Sequence, residues 1–468
     1  MLEVSLEQLV VLFATVSIVI GCGILAARSV HSSEGYSLGG RSAGAPMVAG
    51  AIAGACVGGG ATVGTAQLAA SIGLSAIWFT AGTGLALIVM GLFYARPLRR
   101  SSLTTVSQYI VQNYGHRAGL LTSLASSIGI LLSTVASSLP GISLIMAITG
   151  MQYMESALLL LLLVAAYAFF GGMKSAGLGG ILKMLIIWAS LCLAGISAWQ
   201  SLQAPEISSA IPAGWWNPFA IGTESIAVSL LSLLVGMLCT QTYIQAIFSA
   251  SNPRTAAAGA FMAALITIPV GLPCALIGMY MHAAYPELQP LLSLPAFLLE
   301  HQPVLLGSIA MGGIVLSLVS SIAGLSLGIS TMLSRDILAK FLPVHGKREL
   351  RITQGVFLAV VATAFTIAIA NRDSQVLFWN YLSMALRGAG VFLPLTLAIF
   401  RPRAVEEHWA AASMLLATAV TLAATLLGSQ IRPLFLGLII GMAVLVPGLR
   451  LQRHCHGHGA ARSQLKRR

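Results

Sequence analysis

Ser317, Ser320 and Ser321 stand at i, i+3 and i+4 in the run VLSLVSSIAGLSLGISTMLSRDI, so their side chains share one helix face, which Gly324 and Gly328 continue as a smooth stripe. Such a face lets another backbone approach closely while its hydroxyls offer oxygen ligands. The alternative is that each serine bonds back to the carbonyl four residues earlier. A second run, GAPMVAGAIAGACVGGGATVGTAQLAASIG, carries glycine at 50, 54, 58, 59, 60 and 64. Each glycine weakens a helix by up to about 1 kcal/mol relative to alanine, so three in succession predict a local break. A break in an apolar segment frees carbonyls and amides that an ion, a solute or neighbouring protein must satisfy. The other use of such spacing is close helix packing through small residues. Together, a helix offering carbonyls and a helix offering hydroxyls suit a hard monovalent cation such as Na+. Neutral oxygens suffice for a single charge, whereas calcium wants carboxylates, and no Asp or Glu lies deep in any apolar run.

Arg387 sits in the middle of the apolar run VLFWNYLSMALRGAGVFLPLTLAIF. A permanent cation at that depth costs several kcal/mol unless paired or hydrated, which makes it a candidate for substrate recognition. A solute carboxylate would form a two-pronged pair with its guanidinium. The competing role is to cap carbonyls of a broken neighbour or to reach a wet vestibule. Near the carboxyl end, the run HCHGHG holds His454, Cys455, His456 and His458, which suits either a transition metal or a basic tail lying on anionic lipid.

These groups need positioning by apolar elements, which the composition supplies. Of 468 residues, 57% are hydrophobic and 8% charged, too little charge to cover a soluble protein of this size. Nucleic-acid binding, disorder and a disulfide scaffold are excluded, and an all-α polytopic membrane protein is expected. Segments near 20 residues cross the hydrocarbon layer as helices. Reading at that length gives about thirteen: residues 6–27, 44–70, 76–95, 118–149, 156–170, 178–201, 225–248, 255–281, 303–333, 352–370, 376–400, 409–427 and 433–449. With the amino terminus outside, every Lys and Arg except Arg372, Arg387 and Arg432 falls on the cytoplasmic side, counting Lys183 at that edge. The net charge of +12 is then a topology signal in an inner or plasma membrane rather than a sign of a polyanionic partner. Glu3 and Glu7 ahead of the first apolar run are the reverse of a secretory leader, so that run is expected to be retained. Cys22, Cys56, Cys192, Cys239 and Cys274 lie inside apolar runs and Cys455 in the tail, with no loop pair to bridge. Trp215 and Trp216, in the Pro-rich connection 203–222, read as interface anchors or as a lid.

Four motifs carry a resemblance: SLGGRS before the second segment, GGMKS at 171–175, QTYIQAIFSASNPRTA at 241–256, and SSIAGLSLGISTMLSRD ending at Asp336. In this order and spacing, over about 35–403, the chain resembles the sodium:solute symporter family. The resemblance implies a LeuT-type fold with a 5+5 inverted repeat: a peripheral amino-terminal part (1–43), a transporter core (44–403, repeats about 44–203 and 223–403), two peripheral spans (404–450) and a basic, His-containing tail (451–468). It also implies a Na+ site formed by carbonyls of Gly54, Val57 and Ser317 and hydroxyls of Ser320 and Ser321. Substrate positions carried over are Ala61, Thr62, Thr240 and Gln241; Gln241 equally suits tying helices together.

Two departures stand out. Relatives commonly have Trp-Thr-Asp where this chain has Leu178, Gly179 and Gly180, and an Arg where it has Ala246. The expected function is a Na+-coupled symporter in the lipid bilayer, importing a small organic solute that is anionic or zwitterionic, a carboxylate or amino acid. The alternatives are a proton-coupled or facilitative carrier for a neutral solute, and a membrane solute sensor. No His, Asp or Cys constellation at depth points to an enzyme.

Overall fold

The computed structural model describes residues 4–28, 30, 32–169, 171–341, 347–429 and 432–465, with side chains left aside at 26, 27 and 450–465. The tail side chains of His454, Cys455, His456 and His458 therefore lie outside the described set. The described chain is helical and holds no strand, only one isolated bridge between Ala43 and Ala250.

In chain order the helices used below are α1 (Leu6–Ala27), α2 (Ala45–Cys56), α3 (Thr65–Ile72), α4 (Trp78–Val89), α5 (Val106–Tyr114), α6 (His116–Thr149), α7 (Tyr153–Ala168), α8 (Gly172–Leu202), α9 (Thr223–Leu238), α10 (Gln241–Ser249), α11 (Pro253–Thr267), α12 (Gly271–Ala284), α13 (Val304–Met332), α14 (Lys347–Ala370), α15 (Val376–Phe400), α16 (Glu407–Leu426) and α17 (Pro433–Leu465). Among the described residues nine helical stretches are long and apolar enough to cross a membrane, ten if the bent pair α9 and α10 counts as one. The chain is a multi-pass membrane protein. Some expected spans, including residues 44–70 and 156–170, correspond to shorter apolar helices, so length and composition do not fix thirteen crossings.

The glycine-rich segment is discontinuous. α2 ends at Cys56, Val57 leaves helical geometry (φ −83°, ψ 72°), and the chain resumes in a wide turn, Gly60–Gly64, before α3. The expected continuous span 225–248 is also interrupted: α9 and α10 meet at 51°, with Thr240 extended between them (φ −78°, ψ 114°). The Thr240 hydroxyl donates to the Gly236 carbonyl at 2.8 Å and so satisfies one acceptor that the bend frees.

α2 packs between α8, α11 and α13, while α15 runs along α6 and α9. Small residues set these distances. A β-carbon on Gly180 of α8 would stand 2.0 Å from the Gly50 carbonyl oxygen of α2. One on Gly58, in the break, would stand 2.0 Å from Ser321 Oγ of α13, and one on Gly129 of α6 would stand 2.9 Å from Arg387 Cβ of α15. The connection 203–222 folds inward, with Trp215 seated over Gly73 (φ +62°) and 4.9 Å from the His282 ring.

Candidate ion and solute site

The carbonyls freed where α2 breaks are met by the serine face of α13. Ser317 Oγ donates to the Val57 carbonyl at 2.5 Å, Ser320 Oγ to the Gly54 carbonyl at 2.9 Å, and Ser321 Oγ to the Ala55 carbonyl at 2.6 Å. The hydroxyls thus reach across to a second backbone, with a longer local contact from Ser320 Oγ to the Ser317 carbonyl at 3.3 Å. This is the geometry that a broken helix needs in lipid, where a freed carbonyl has no water to turn to.

At the centre of these oxygens lies the ammonium of Lys183. Its Nζ donates to Ser320 Oγ at 2.6 Å, to the Gly54 carbonyl at 2.7 Å and to the Val57 carbonyl at 2.9 Å, with the Ser317 carbonyl at 3.4 Å. Three short contacts match the three N–H bonds of an ammonium. The Gly54 and Val57 carbonyls each accept from Lys183 and from one serine, which uses both lone pairs. The last turn of α2 also presents the negative end of its helix dipole to the charge. Lys183 is only 1% exposed, so it does not belong among the edge cations that set the topology count. It reaches the break from the middle of α8 because Gly177 and Gly180 let that helix lie against the α2 backbone at Met47 and Gly50.

Across the break is a small cavity of about 30 Å³, room for a water or two. Its lining includes Phe79, Ser133, Tyr243, Ser321, Asn380 and Arg387. Arg387 is 1% exposed; its Nε donates to the Gly236 carbonyl at 3.1 Å and its Nη1 to Ser383 Oγ at 2.8 Å and Ser133 Oγ at 3.2 Å. No carboxylate pairs with it among the described residues, and Nη2 donates to no described group.

Of the positions the sequence marked, Gly54, Val57, Ser317 and Ser320 converge on one point. Ser321 turns from that point to Ala55 and the cavity. Ala61, Thr62, Thr240 and Gln241 do not line the cavity, and the three polar side chains among them bond to backbone groups instead. Thr62 Oγ1 donates to the Gly58 carbonyl at 2.9 Å, and Ala61 is packed inside the wide turn. Gln241 ties α10 to the start of α5, accepting from the Val106 amide at 2.8 Å and donating to the Thr104 carbonyl at 3.2 Å. Sequence reasoning missed Lys183, although a lone cation inside ILKMLIIW carries the signal that singled out Arg387.

The remaining motif residues form a polar layer at the end of the bundle that holds Arg41, Arg99 and Arg335. Asp336 accepts from Thr105 Oγ1 and Ser123 Oγ, each at 3.0 Å, and Gln245 Nε2 donates to the Ser37 carbonyl at 2.6 Å. The Arg41 guanidinium, 2.8 Å from Glu34, draws that carboxyl below its usual range.

Comparison with known proteins agrees with this architecture. The sodium:solute symporter family profile matches residues 36–417. The human high affinity choline transporter 1 is 26% identical over 328 residues, covering 65% of this chain and 56% of the relative. The Drosophila melanogaster high-affinity choline transporter 1 is 24% identical over 394 residues, covering 80% and 63%. The chain thus spans only somewhat more than half the length of these curated relatives. Among solved structures, a Na+-coupled sialic acid symporter in a substrate-bound outward-open state superposes with a TM-score of 0.82 at 16% identity, over 95% of this chain and 97% of that one. A nucleobase-cation-symport-1 family transporter in a closed conformation gives 0.60 at 12% identity, over 88% and 93%. The shared architecture is the LeuT-type fold, and the chain belongs to the sodium:solute symporter family.

Proposed function

We propose that this chain is a symporter that imports a small organic solute by alternating access, with Na+ as the coupling ion that its family membership supports. The observation that carries the reading is the broken segment between α2 and α3, which presents freed backbone to a cation cage on one side and to a cavity on the other. A cavity of about 30 Å³ is too small for an organic solute, which fits a closed state of a carrier that must open to load.

The solute reading rests on Arg387. A buried guanidinium at the cavity, with no carboxylate partner among the described residues, favours a solute that brings its own carboxylate, hence an organic acid or amino acid. A second reading is choline, supported by the choline transporters among the relatives. The aromatic rings of Phe79 and Tyr243 at the cavity could receive a quaternary ammonium. Uptake into proteoliposomes of carboxylates, amino acids and choline, with Na+ and pH gradients imposed separately, decides between them. Accumulation of choline alone sinks the carboxylate reading; accumulation of nothing under either gradient sinks the transporter reading.

The amino terminus outside, the carboxyl terminus inside and residence in the plasma or inner membrane complete the proposal, supported by the distribution of Lys and Arg.

A further inference from the structure

The oxygens that suit a sodium ion by type are already bound to a cation that belongs to the chain. Gly54 O, Val57 O and Ser320 Oγ lie 2.6 to 2.9 Å from Lys183 Nζ, and each has its remaining hydrogen-bonding capacity directed to a second described partner. A sodium ion coordinated by the same atoms would have to stand where Nζ stands. Two unit positive charges cannot share a dry cage, because their repulsion is barely screened there. Nor, among the described residues, does a carboxylate bond to Lys183 that could accommodate a second cation. The titratable side chains near Lys183 are the Cys56 thiol on α2, which lies 3.5 Å from Thr267 Oγ1, and the Tyr167 phenol on α7, which lies against Gly179. Gly180, where the family resemblance implies an aspartate, stands one turn before Lys183 on α8, and the space a side chain would need there is filled by the Gly50 backbone.

We infer that the Lys183 amino group is a tethered occupant that fills the cage of Gly54, Val57, Ser317 and Ser320 and excludes sodium from it. The inference rests on the symporter reading only for its significance. Sodium coupling in this chain then uses oxygens other than these four. The ammonium does at this point what a bound ion would do mechanically: it joins the broken end of α2 to the serine face of α13. It does so without being released, because a four-carbon stem anchors it to α8.

The test uses the purified full chain and radioactive sodium alone as the probe, so that no solute need be known. Ser320→Ala in the wild-type background is expected to leave sodium binding within about twofold. Lys183→Gln, which removes the charge and keeps an amide of similar reach, is expected to gain sodium binding at least tenfold tighter than wild type at this cage. Adding Ser320→Ala to Lys183→Gln should abolish the gain. If Ser320→Ala weakens wild-type sodium binding tenfold or more, sodium does use this cage and the inference is overturned; it is equally overturned if folded Lys183→Gln binds sodium no better than wild type. Should Lys183→Gln not fold, the wild-type and Ser320→Ala pair decides alone. Absence of uptake of any solute would defeat the symporter reading and leave these binding outcomes unaffected.

Discussion

The carbonyl oxygen of Gly50 on α2 stands 2.0 Å from where a β-carbon of Gly180 on α8 would be. That approach brings the backbone of α8 against α2 and places Lys183, three residues on, at the break. An aspartate therefore does not fit at position 180 unless the two helices move apart. Gly180→Asp is expected to lower the melting temperature of the detergent-solubilised protein, by an amount corresponding to roughly 1–3 kcal/mol of overpacking. A variant as stable as wild type would mean that the two helices can separate at little cost.

Gly58 tests the junction between the break and the serine face. Gly58→Ala would place a β-carbon 2.0 Å from Ser321 Oγ and 2.6 Å from Ser321 Cβ, so one element must shift. Destabilisation of about 1–3 kcal/mol is expected, with loss of transport. Ser321→Gly in the same chain should recover part of both, a coupling that a double-mutant cycle in thermal unfolding and uptake would measure.

Arg387→Gln is expected to reduce uptake of a carboxylate solute roughly a hundredfold in kcat/KM, the scale of one lost charge-assisted pair. The variant removes a positive charge from a cavity, so choline uptake, if present, should rise instead. Unchanged kinetics for a transported carboxylate would remove Arg387 from solute recognition.

For Gln241 the expected effect is on stability. Gln241→Ala leaves the Val106 amide and the Thr104 carbonyl without their buried partner, at about 1–3 kcal/mol. The solute KM should stay within about twofold of wild type. A large rise in KM with unaltered melting would return Gln241 to the substrate site, where the family resemblance had placed it.

The break in the glycine run and the smooth face of α13 were legible because both follow from local rules: glycine weakens a helix wherever it stands, and i, i+3, i+4 spacing fixes a face whatever packs on it. The family motifs added which carbonyls would matter. The interruption at Thr240 was not legible, since LLVGMLCTQTYIQ reads as continuous apolar helix and the bend accompanies a tertiary contact of α10 with α13, where Thr242 Oγ1 donates to the Gly324 carbonyl. Thr62 and Thr240 are substrate positions only by the family resemblance, while the direction of each hydroxyl, back to Gly58 and Gly236, is a property of the folded backbone. Lys183 was read as a boundary residue because a charge near a segment end is ordinarily at the water. Only the three-dimensional approach of α8 to α2 reveals that its stem runs inward.

A positive charge fixed to the polypeptide returns with the carrier after every turnover, so the membrane voltage performs no net work on it over a complete cycle. One elementary charge crossing 100 mV is worth about 2.3 kcal/mol. A carrier with the Lys183 ammonium in place of one travelling ion forgoes that electrical driving force, a factor of about fifty in the concentration ratio for the ion so replaced.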